Sequence, residues 1–302
     1  MNQDDAKVWH NGNMIPAQKA TVPLLSHGFS RGSAIFEVFG IHKGPDGPVA
    51  FRMDEHLKRL ENSVALLEMK LAHSTDEIIA AVKETVAASQ IGRGLIKILA
   101  YWGEEAIIQL VLDSKLDLAI FAIPESNELK LDQMHYPVSA CLSKWRKIDP
   151  QTVPVAAKAC SNYLNGYMAR RDAINRGFDV GLMIGTDGYM AEGGTESVFI
   201  VKDGVLKTPP LGRILSGISR KSILEAAPVL GILVSEEEIR PEEMMQADEI
   251  FTAHSGTKVL PISRFEDIVL ETPGPITAKL INCFEQVLQF KDDRFSHWFQ
   301  TL

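Results

Sequence analysis

The sequence predicts an α+β protein of two domains. Two segments near residues 60 and 80 carry apolar residues at helical spacing, whereas short apolar runs typical of strands lie around them. The 302 residues, 45% of them hydrophobic, are enough to form two cores. A polar stretch divides the chain. We therefore assign residues 1–125 to a small N-terminal α/β sandwich, 126–134 to a linker and 135–302 to a larger β-rich domain with outer helices.

In the first half, apolar residues flank Asn11-Gly12, which predicts a hairpin over residues 8–15. Helices are predicted to begin at Asp54 and Ser74, because each precedes apolar residues spaced three and four apart. The other predicted strands of this half are residues 33–39, 95–101, 107–112 and 116–123.

The second half alternates shorter strands with helices. Its predicted helices are residues 162–176, 219–231, 241–246 and 275–290. Its predicted strands are residues 136–143, 180–184, 197–202 and 249–253. The predicted turns include Asp203-Gly204.

Composition and charge argue against several kinds of partner. The net charge is -8 and the pI about 5.5, so we expect neither nucleic acid nor a membrane surface as a partner. The three cysteines are scattered without a CxxC pair, which argues against a disulfide framework or a metal site. No targeting signal or membrane-length apolar run is evident, and we expect a cytoplasmic protein.

Residues 155–163, VAAKACSNY, place Lys158 among small and apolar neighbours. Burial of the stem disfavours the charged ammonium, so we expect the pKa of Lys158 to fall and its amine to become a nucleophile. Schiff-base chemistry with an aldehyde needs such an amine. The alternative is a lysine whose stem lies on apolar surface and whose ammonium stays in water.

Three further stretches follow Lys158 in order: DGYMAEGGTESVFI at 187–200, SGISR at 216–220 and SGT at 255–257. The second begins a predicted helix, whose free N–H groups favour a phosphate group, with Ser219 adding a hydroxyl. The third follows a strand and is predicted to form the second half of an anion cradle. Taken singly, each stretch has a simpler interpretation. The second could be a plain helix cap, and Glu192 in the first could be an exposed glutamate in a turn.

Together, the lysine, the glutamate and the two cradles resemble the class IV, or fold-type IV, pyridoxal-phosphate enzymes. That family includes branched-chain aminotransferases, D-amino-acid aminotransferases, (R)-selective amine transaminases and aminodeoxychorismate lyase. The resemblance extends from about residue 8 to about 262, and residues 162–259 most resemble a branched-chain aminotransferase. It implies the fold-type IV fold and pyridoxal 5′-phosphate as cofactor.

The resemblance also implies roles for individual residues. Lys158 would form the Schiff base and then move the proton between Cα and C4′. Glu192 would keep the pyridine nitrogen protonated, with Glu196 supporting the site, and Tyr163 would bond the phenolic oxygen. Arg59 would bind the phosphate in bidentate fashion. The cradle would comprise Gly217, Ile218, Ser219, Gly256 and Thr257.

The substrate pocket departs from the branched-chain pattern. The chain has Ser-Arg-Gly at 30–32 instead of His-Tyr-Gly, Leu-Ile-Lys at 95–97 instead of Tyr-x-Arg, and Gly-Thr-Lys at 256–258 instead of Gly-Thr-Ala. The first strand reads FEVFG at 36–40 instead of FEGIR. We therefore predict that Arg31, Lys97 and Lys258 bind a substrate carboxylate, with Phe36 as an apolar wall. The alternative is that these cations are surface or salt-bridged residues.

The predicted reaction is ping-pong transamination between a branched-chain L-amino acid and 2-oxoglutarate. Three alternatives remain: a D-amino-acid or (R)-amine transaminase, a lyase of the aminodeoxychorismate type, and a chain that binds the cofactor without turnover. In this family the active site lies between the domains, and a partner-subunit loop often closes it. The resemblance thus implies a homodimer or larger assembly, with small amino and oxo acids as the other partners.

Overall fold

A computed structural model describes residues 6–126 and 129–302. The chain forms two compact units. Unit 1 comprises Met1–Lys130, Ala157–Ser161 and Ser296–Leu302, and unit 2 comprises Leu131–Ala156 and Asn162–Phe295. This division departs from the continuous ranges predicted from the sequence, because two short later segments join unit 1. Within the predicted linker, residues 127 and 128 lie outside the described part of the chain.

Unit 1 contains an antiparallel sheet, in which seven strands lie within the described residues in the order β15-β4-β3-β5-β6-β1-β2. The strands are β1 (Lys7–His10), β2 (Asn13–Pro16), β3 (Ile35–Gly44), β4 (Gly47–Phe51), β5 (Gly94–Tyr101), β6 (Asp117–Pro124) and β15 (Phe299–Thr301). Asn11 and Gly12 turn between β1 and β2 with φ of 47° and 88°. The predicted hairpin is therefore confirmed.

Three helices of unit 1 fall within the described residues: α1 (His27–Ser30), α2 (Met53–Leu66) and α3 (Thr75–Ser89). The helix predicted to begin at Ser74 is confirmed, and Ser74 caps α3 through a capping box with Glu77. Asp54 does not cap α2, because Arg52 holds that position with φ of 55° and Asp54 lies in the first turn. Leu57 and Leu60 of α2 are buried in one core cluster with residues of α3 and the sheet.

The predicted strand at residues 107–112 is wrong. β5 pairs directly with β6, Tyr101 lying opposite Asp117, so the intervening chain is excluded from the sheet. Ile107 and Ile108 are 72% and 89% exposed, and Leu110 and Val111 are also exposed. In the sequence alone, an apolar run whose side chains are mostly exposed cannot be distinguished from a strand.

Unit 2 contains a mixed sheet, with seven of its strands in the order β11-β10-β9-β12-β13-β7-β8 and β14 beside β13 among the described residues. The strands are β7 (Val138–Leu142), β8 (Val180–Leu182), β9 (Ser197–Lys202), β10 (Val205–Thr208), β11 (Leu233–Glu236), β12 (Glu249–Ala253), β13 (Leu260–Phe265) and β14 (Ile268–Val269). The turn at Asp203-Gly204 joins β9 to β10, as predicted.

The helices described in unit 2 are α4 (Tyr163–Asn175), α5 (Ile218–Val229), α6 (Pro241–Met245) and α7 (Pro275–Leu288). All four confirm the predicted helices to within three residues at each end. Gly166 of α4 packs against the backbone at Gly194, where a Cβ atom would lie 2.3 Å from the Gly194 carbonyl oxygen. Only glycine permits this close approach.

The two later segments join unit 1 through its sheet. Ala159 forms an isolated antiparallel bridge with Ile35. Cys160 donates its N–H to the Ala34 carbonyl at 2.7 Å. β15 pairs with β4 along the edge of the sheet. Residues 157–161 are thereby held beside β3.

Among the helices of the described part of the chain, none has the length and apolar character needed to cross a membrane. Nor do residues 6–126 and 129–302 contain three or more His, Cys, Asp or Glu side chains arranged to hold a metal ion.

A buried cluster of three polar side chains lies between β3 and α2. Arg59 donates to both carboxylate oxygens of Glu37, at 2.8 and 2.7 Å, and His56 Nδ1 donates to Glu37 Oε2 at 2.7 Å. Burial raises the pKa of Glu37, but Arg59 and the hydrogen bonds outweigh it and lower that pKa to about 2. Burial lowers the pKa of His56 to about 4, against the opposing effect of Glu37.

We expect this cluster to make the protein less stable in acid. Both folded pKa values lie below the ordinary 6.5 of histidine and 4.5 of glutamate. The stabilisation is thus fully present above about pH 6.5 and is lost as the pH falls, first through His56 and then through Glu37. Urea unfolding from pH 7.5 to pH 4 measures the loss.

His56→Gln is the matched variant, because glutamine keeps a donor for Glu37 but does not titrate. Its free energy of unfolding should fall less than that of the wild type between pH 6.5 and pH 4.5. Parallel pH profiles for the two proteins would contradict the assignment of this window to His56.

Candidate active site

Lys158 is held by its backbone on both sides. Its N–H donates to Ser63 Oγ on α2 at 2.9 Å, and its carbonyl accepts from the Phe36 N–H on β3 at 3.1 Å. Ser63 is itself buried and donates to the Arg59 carbonyl at 2.9 Å. The base of the lysine is therefore fixed, while its half-buried side chain extends beside β3.

The Phe36 ring brings two lysines together. Lys158 Nζ lies 4.6 Å from the ring centroid and Lys97 Nζ lies 5.5 Å from it. Lys97 is opposite Val38 in the β3–β5 register, on the same face of the sheet as Phe36. An aromatic face stabilises a nearby cation. Three of the predicted site residues thus lie together in unit 1.

Arg31 and Arg59 have different surroundings. Arg31 is exposed and donates to the Ile107 carbonyl at 3.2 Å. Arg59 is buried and grips Glu37 with two of its nitrogens. A fixed bidentate pair of this kind presents the guanidinium in one orientation. The phosphate and substrate roles of the two arginines stay predictions.

Glu192 of unit 2 is buried, at 7% exposure, and is not the exposed turn residue of the alternative interpretation. Lys147 Nζ lies 2.6 Å from its Oε1, and the Leu215 N–H donates to its Oε2 at 3.3 Å. An ammonium group and a backbone N–H therefore both contact this buried carboxylate. Lys147 was missed by the sequence analysis, because it lies 45 residues away from Glu192 in the chain.

The start of α5 is an anion site by geometry. Gly217 is its N-cap, in extended conformation, and supplies no side-chain cap. Within the described residues, the amides of Ile218 and Ser219 have no hydrogen-bond acceptor. A Cβ atom at Gly217 would lie 2.6 Å from Ser197 Oγ, which explains the glycine. Free amides at the positive end of a helix favour a phosphate.

The turn at residues 255–258 differs from the start of α5. The amides of Gly256 and Thr257 both donate to His254 Nδ1, at 3.1 and 3.3 Å. His254 is therefore neutral, with its proton on Nε2, and burial lowers its pKa, as do the nearby cations. His254 was missed by the sequence analysis, because an isolated histidine next to a strand has no distinguishing pattern.

Lys258 is buried and paired. Its Nζ donates to the Ser255 carbonyl at 2.7 Å and lies 3.3 Å from Asp132 Oδ1. This geometry matches the salt-bridged alternative for Lys258 rather than a cation that awaits a substrate carboxylate.

Tyr163 is the first residue of α4 and lines a cavity of about 490 Å³ in unit 2. Arg170, Glu196 and His254 also line it. The Glu196 carboxylate is buried, and both of its oxygens have partners. Oε1 lies 3.3 Å from Arg170 Nη1, and Oε2 accepts from the Thr195 N–H at 2.8 Å. Its contacts fit a supporting role in the loop that follows Glu192.

Comparison with known proteins supports the resemblance seen in the sequence. The model of the family Amino-transferase class IV matches residues 34–265. The branched-chain-amino-acid aminotransferase of Escherichia coli K12 is 31% identical over 281 residues, which cover 92% of this chain and 91% of the relative. The enzyme of the same name from Pseudomonas aeruginosa is 28% identical and covers 99% of this chain and 98% of its own.

Solved structures agree. The branched-chain aminotransferase of Thermoproteus uzoniensis with norvaline superposes with a TM-score of 0.92 at 33% identity, over 98% of both chains. That of Thermobaculum terrenum in its PLP form gives 0.91 at 30% identity, over 99% of both chains. The predicted fold class and cofactor are thereby confirmed. Since the family model matches well over half of the chain, the protein belongs to the class IV aminotransferases and depends on pyridoxal 5′-phosphate.

Proposed function

We propose that the protein transfers the amino group of a branched-chain L-amino acid to 2-oxoglutarate. The observation that carries this proposal is the placement of Lys158, a lysine pinned by its backbone and set against an aromatic ring in a class IV aminotransferase. The relatives named for branched-chain amino acids, similar over nearly their whole length, support the substrate class.

The residues present fit pyridoxal phosphate. The amides at the start of α5 have no acceptor among the described residues, which suits a phosphate group. Leu215, two residues before Gly217, donates to the buried Glu192, so a carboxylate and the helix start are tied together in unit 2. A carboxylate and an anion cradle are two of the groups that this cofactor needs.

Each residue has a separate task. Lys158 would supply the amine for the aldehyde and would move the proton between Cα and C4′. Glu192 would keep a proton on the pyridine nitrogen, while Lys147 and the Leu215 amide hold its carboxylate in place. Tyr163 would donate to the phenolic oxygen. Gly217, Ile218 and Ser219 would bind the phosphate, with Arg59 and the 255–258 turn.

When bound, the cofactor supplies the electron sink that makes the Cα proton of the amino acid acidic. Lys97 binds the substrate carboxylate, because its amine lies beside the same Phe36 ring as Lys158. The ring gives the apolar side chain of the substrate a wall. Arg31 is exposed and donates to the Ile107 carbonyl, so its part in binding the substrate carboxylate stays a prediction.

Lys158→Ala tests the amine. Borohydride reduction of wild-type protein with bound pyridoxal phosphate should leave the pyridoxyl group on the peptide that contains Lys158, read by mass spectrometry. The variant should not be labelled and should lose essentially all turnover. Lys97→Ala, a second lysine beside Phe36, is the control and should keep the label on Lys158. A label on any other lysine would refute the assignment.

Donor profiling tests the substrate class. We expect turnover with L-leucine and 2-oxoglutarate at least about 100-fold above that with D-alanine or (R)-1-phenylethylamine, since one carboxylate anchor and one apolar wall fix the face presented to Lys158. The readout is glutamate formed. Turnover with D-alanine or the amine alone would move the protein to the other transaminases. Pyruvate released from aminodeoxychorismate would indicate the lyase, and bound cofactor without turnover a binding protein.

The same proposal includes a homodimer in the cytoplasm. Two segments of unit 1, here the apolar patch, expose large side chains: Leu24, Leu25, Phe29, Ile107, Ile108, Leu110 and Val111. The segments are joined, because the Ala106 N–H donates to the Leu25 carbonyl and Ser26 forms a bridge with Glu105. Continuous apolar surface of this kind favours a protein partner, here a second copy.

Val111→Asp tests the dimer. Val111 is 83% exposed in the patch, and a buried unpaired carboxylate at an interface should raise the dimer dissociation constant by at least about tenfold. Sedimentation at micromolar concentration measures it. Val269→Asp, 80% exposed on β14, is the control and should leave the assembly unchanged. A wild-type monomer, or equal effects of both substitutions, would contradict the proposal.

A further inference from the structure

The 255–258 turn, which joins β12 to β13, has every internal carbonyl engaged. The Ser255 carbonyl accepts from Lys258 Nζ at 2.7 Å. The Gly256 carbonyl accepts from the Asp132 N–H at 2.7 Å, and the Thr257 carbonyl from the His254 N–H at 3.0 Å. Because three successive carbonyls each accept a hydrogen bond from another part of unit 2, the turn is held in one backbone arrangement.

Lys258 and Asp132 form the centre of this arrangement. Their side chains are 2% and 7% exposed, and Nζ lies 3.3 Å from Oδ1. A buried ammonium needs a charged partner, and a buried carboxylate likewise, so each residue neutralises the other. Asp132 contributes twice, through its carboxylate to Lys258 and through its backbone N–H to Gly256. The residues are 126 positions apart in the chain.

We infer that Lys258 and Asp132 are a positioning pair that holds Gly256 and Thr257 in the arrangement needed for cofactor phosphate. The inference rests on the proposed function, in which this turn is part of the phosphate cradle. Lys258 acts through the Ser255 carbonyl and through Asp132, and it does not touch substrate. Its charge is already matched by Asp132, so it adds no net attraction for a substrate carboxylate.

Lys258→Met in the full-length protein tests the inference. The dissociation constant of pyridoxal phosphate, measured by titration of protein fluorescence, should rise by at least about tenfold, because the turn loses the ammonium that joins the Ser255 carbonyl to Asp132. The Ser255 carbonyl and the Asp132 carboxylate lose a partner in this variant, whereas the Gly256 and Thr257 carbonyls keep their backbone donors. At saturating cofactor, KM for the amino donor should stay within about threefold of wild type, because Lys258 does not touch substrate. The melting temperature is recorded so that binding is compared well below it.

Lys202→Met is the matched control, since Lys202 and Asp248 form a lysine–aspartate pair with the same 3.3 Å separation on the surface of unit 2. It should leave cofactor affinity unchanged. Asp132→Asn leaves Lys258 in place and should also raise the dissociation constant of the cofactor. It supplies the test if Lys258→Met does not fold. The double variant should bind the cofactor no more weakly than the single variant with the lower affinity, because both substitutions remove the same interaction.

Two outcomes would overturn the inference. Cofactor affinity within about twofold of wild type, with only the melting temperature lowered, would make the pair merely structural. A raised KM for the amino donor at unchanged cofactor affinity would return Lys258 to substrate binding. Failure of the wild-type protein to bind pyridoxal phosphate would instead refute the proposed function itself, so the two failures are distinguishable.

Discussion

The attachment of residues 157–161 to β3 and α2 is the constraint on which the position of Lys158, the proposed Schiff-base lysine, depends. Three hydrogen bonds hold the segment: from Lys158 to Ser63, from Phe36 to Lys158, and from Cys160 to Ala34. Each contributes about 1 kcal/mol net, so the gain in stability is modest. What they fix is direction, because a lysine pinned on both sides of its Cα can vary only through its side chain.

The buried charges follow one rule. Glu37, Glu192, Glu196 and Lys258 each lie inside a unit, and each has an opposite charge or a backbone amide within hydrogen-bond distance. Removing one partner of such a pair costs about 3–5 kcal/mol, since the other charge stays buried. The polar residues in both units therefore act as sets, and effects of single substitutions within a set will not add.

Sequence reasoning succeeded where the signal is local. The hairpin at Asn11-Gly12 and the helix starts at Ser74 and Gly217 each depend on a few neighbouring residues, and all three are present. It failed at residues 107–112, where an apolar run faces outward instead of pairing. Local pattern cannot distinguish a side chain packed against its own unit from one available to another molecule.

The site residues that sequence reasoning missed are those defined by distant partners. Lys147, His254 and Asp132 acquire meaning only through Glu192, the 255–258 turn and Lys258. Ion pairs between residues 45 or 126 positions apart leave no periodicity in the chain. The sequence indicated Lys158 as the Schiff-base candidate through the family resemblance of the stretches that follow it, whereas the distant partners of those stretches were not found.

The discontinuous make-up of unit 1 has a consequence for synthesis of the chain. The first 130 residues contain most of that unit, but the lysine segment and the edge strand β15 follow much later, at residues 157–161 and 299–301. During synthesis, β4 therefore stays unpaired along that edge until most of unit 2 has been made. During this interval the open edge is a site for strand pairing with other nascent chains. The protein completes its first-made unit last.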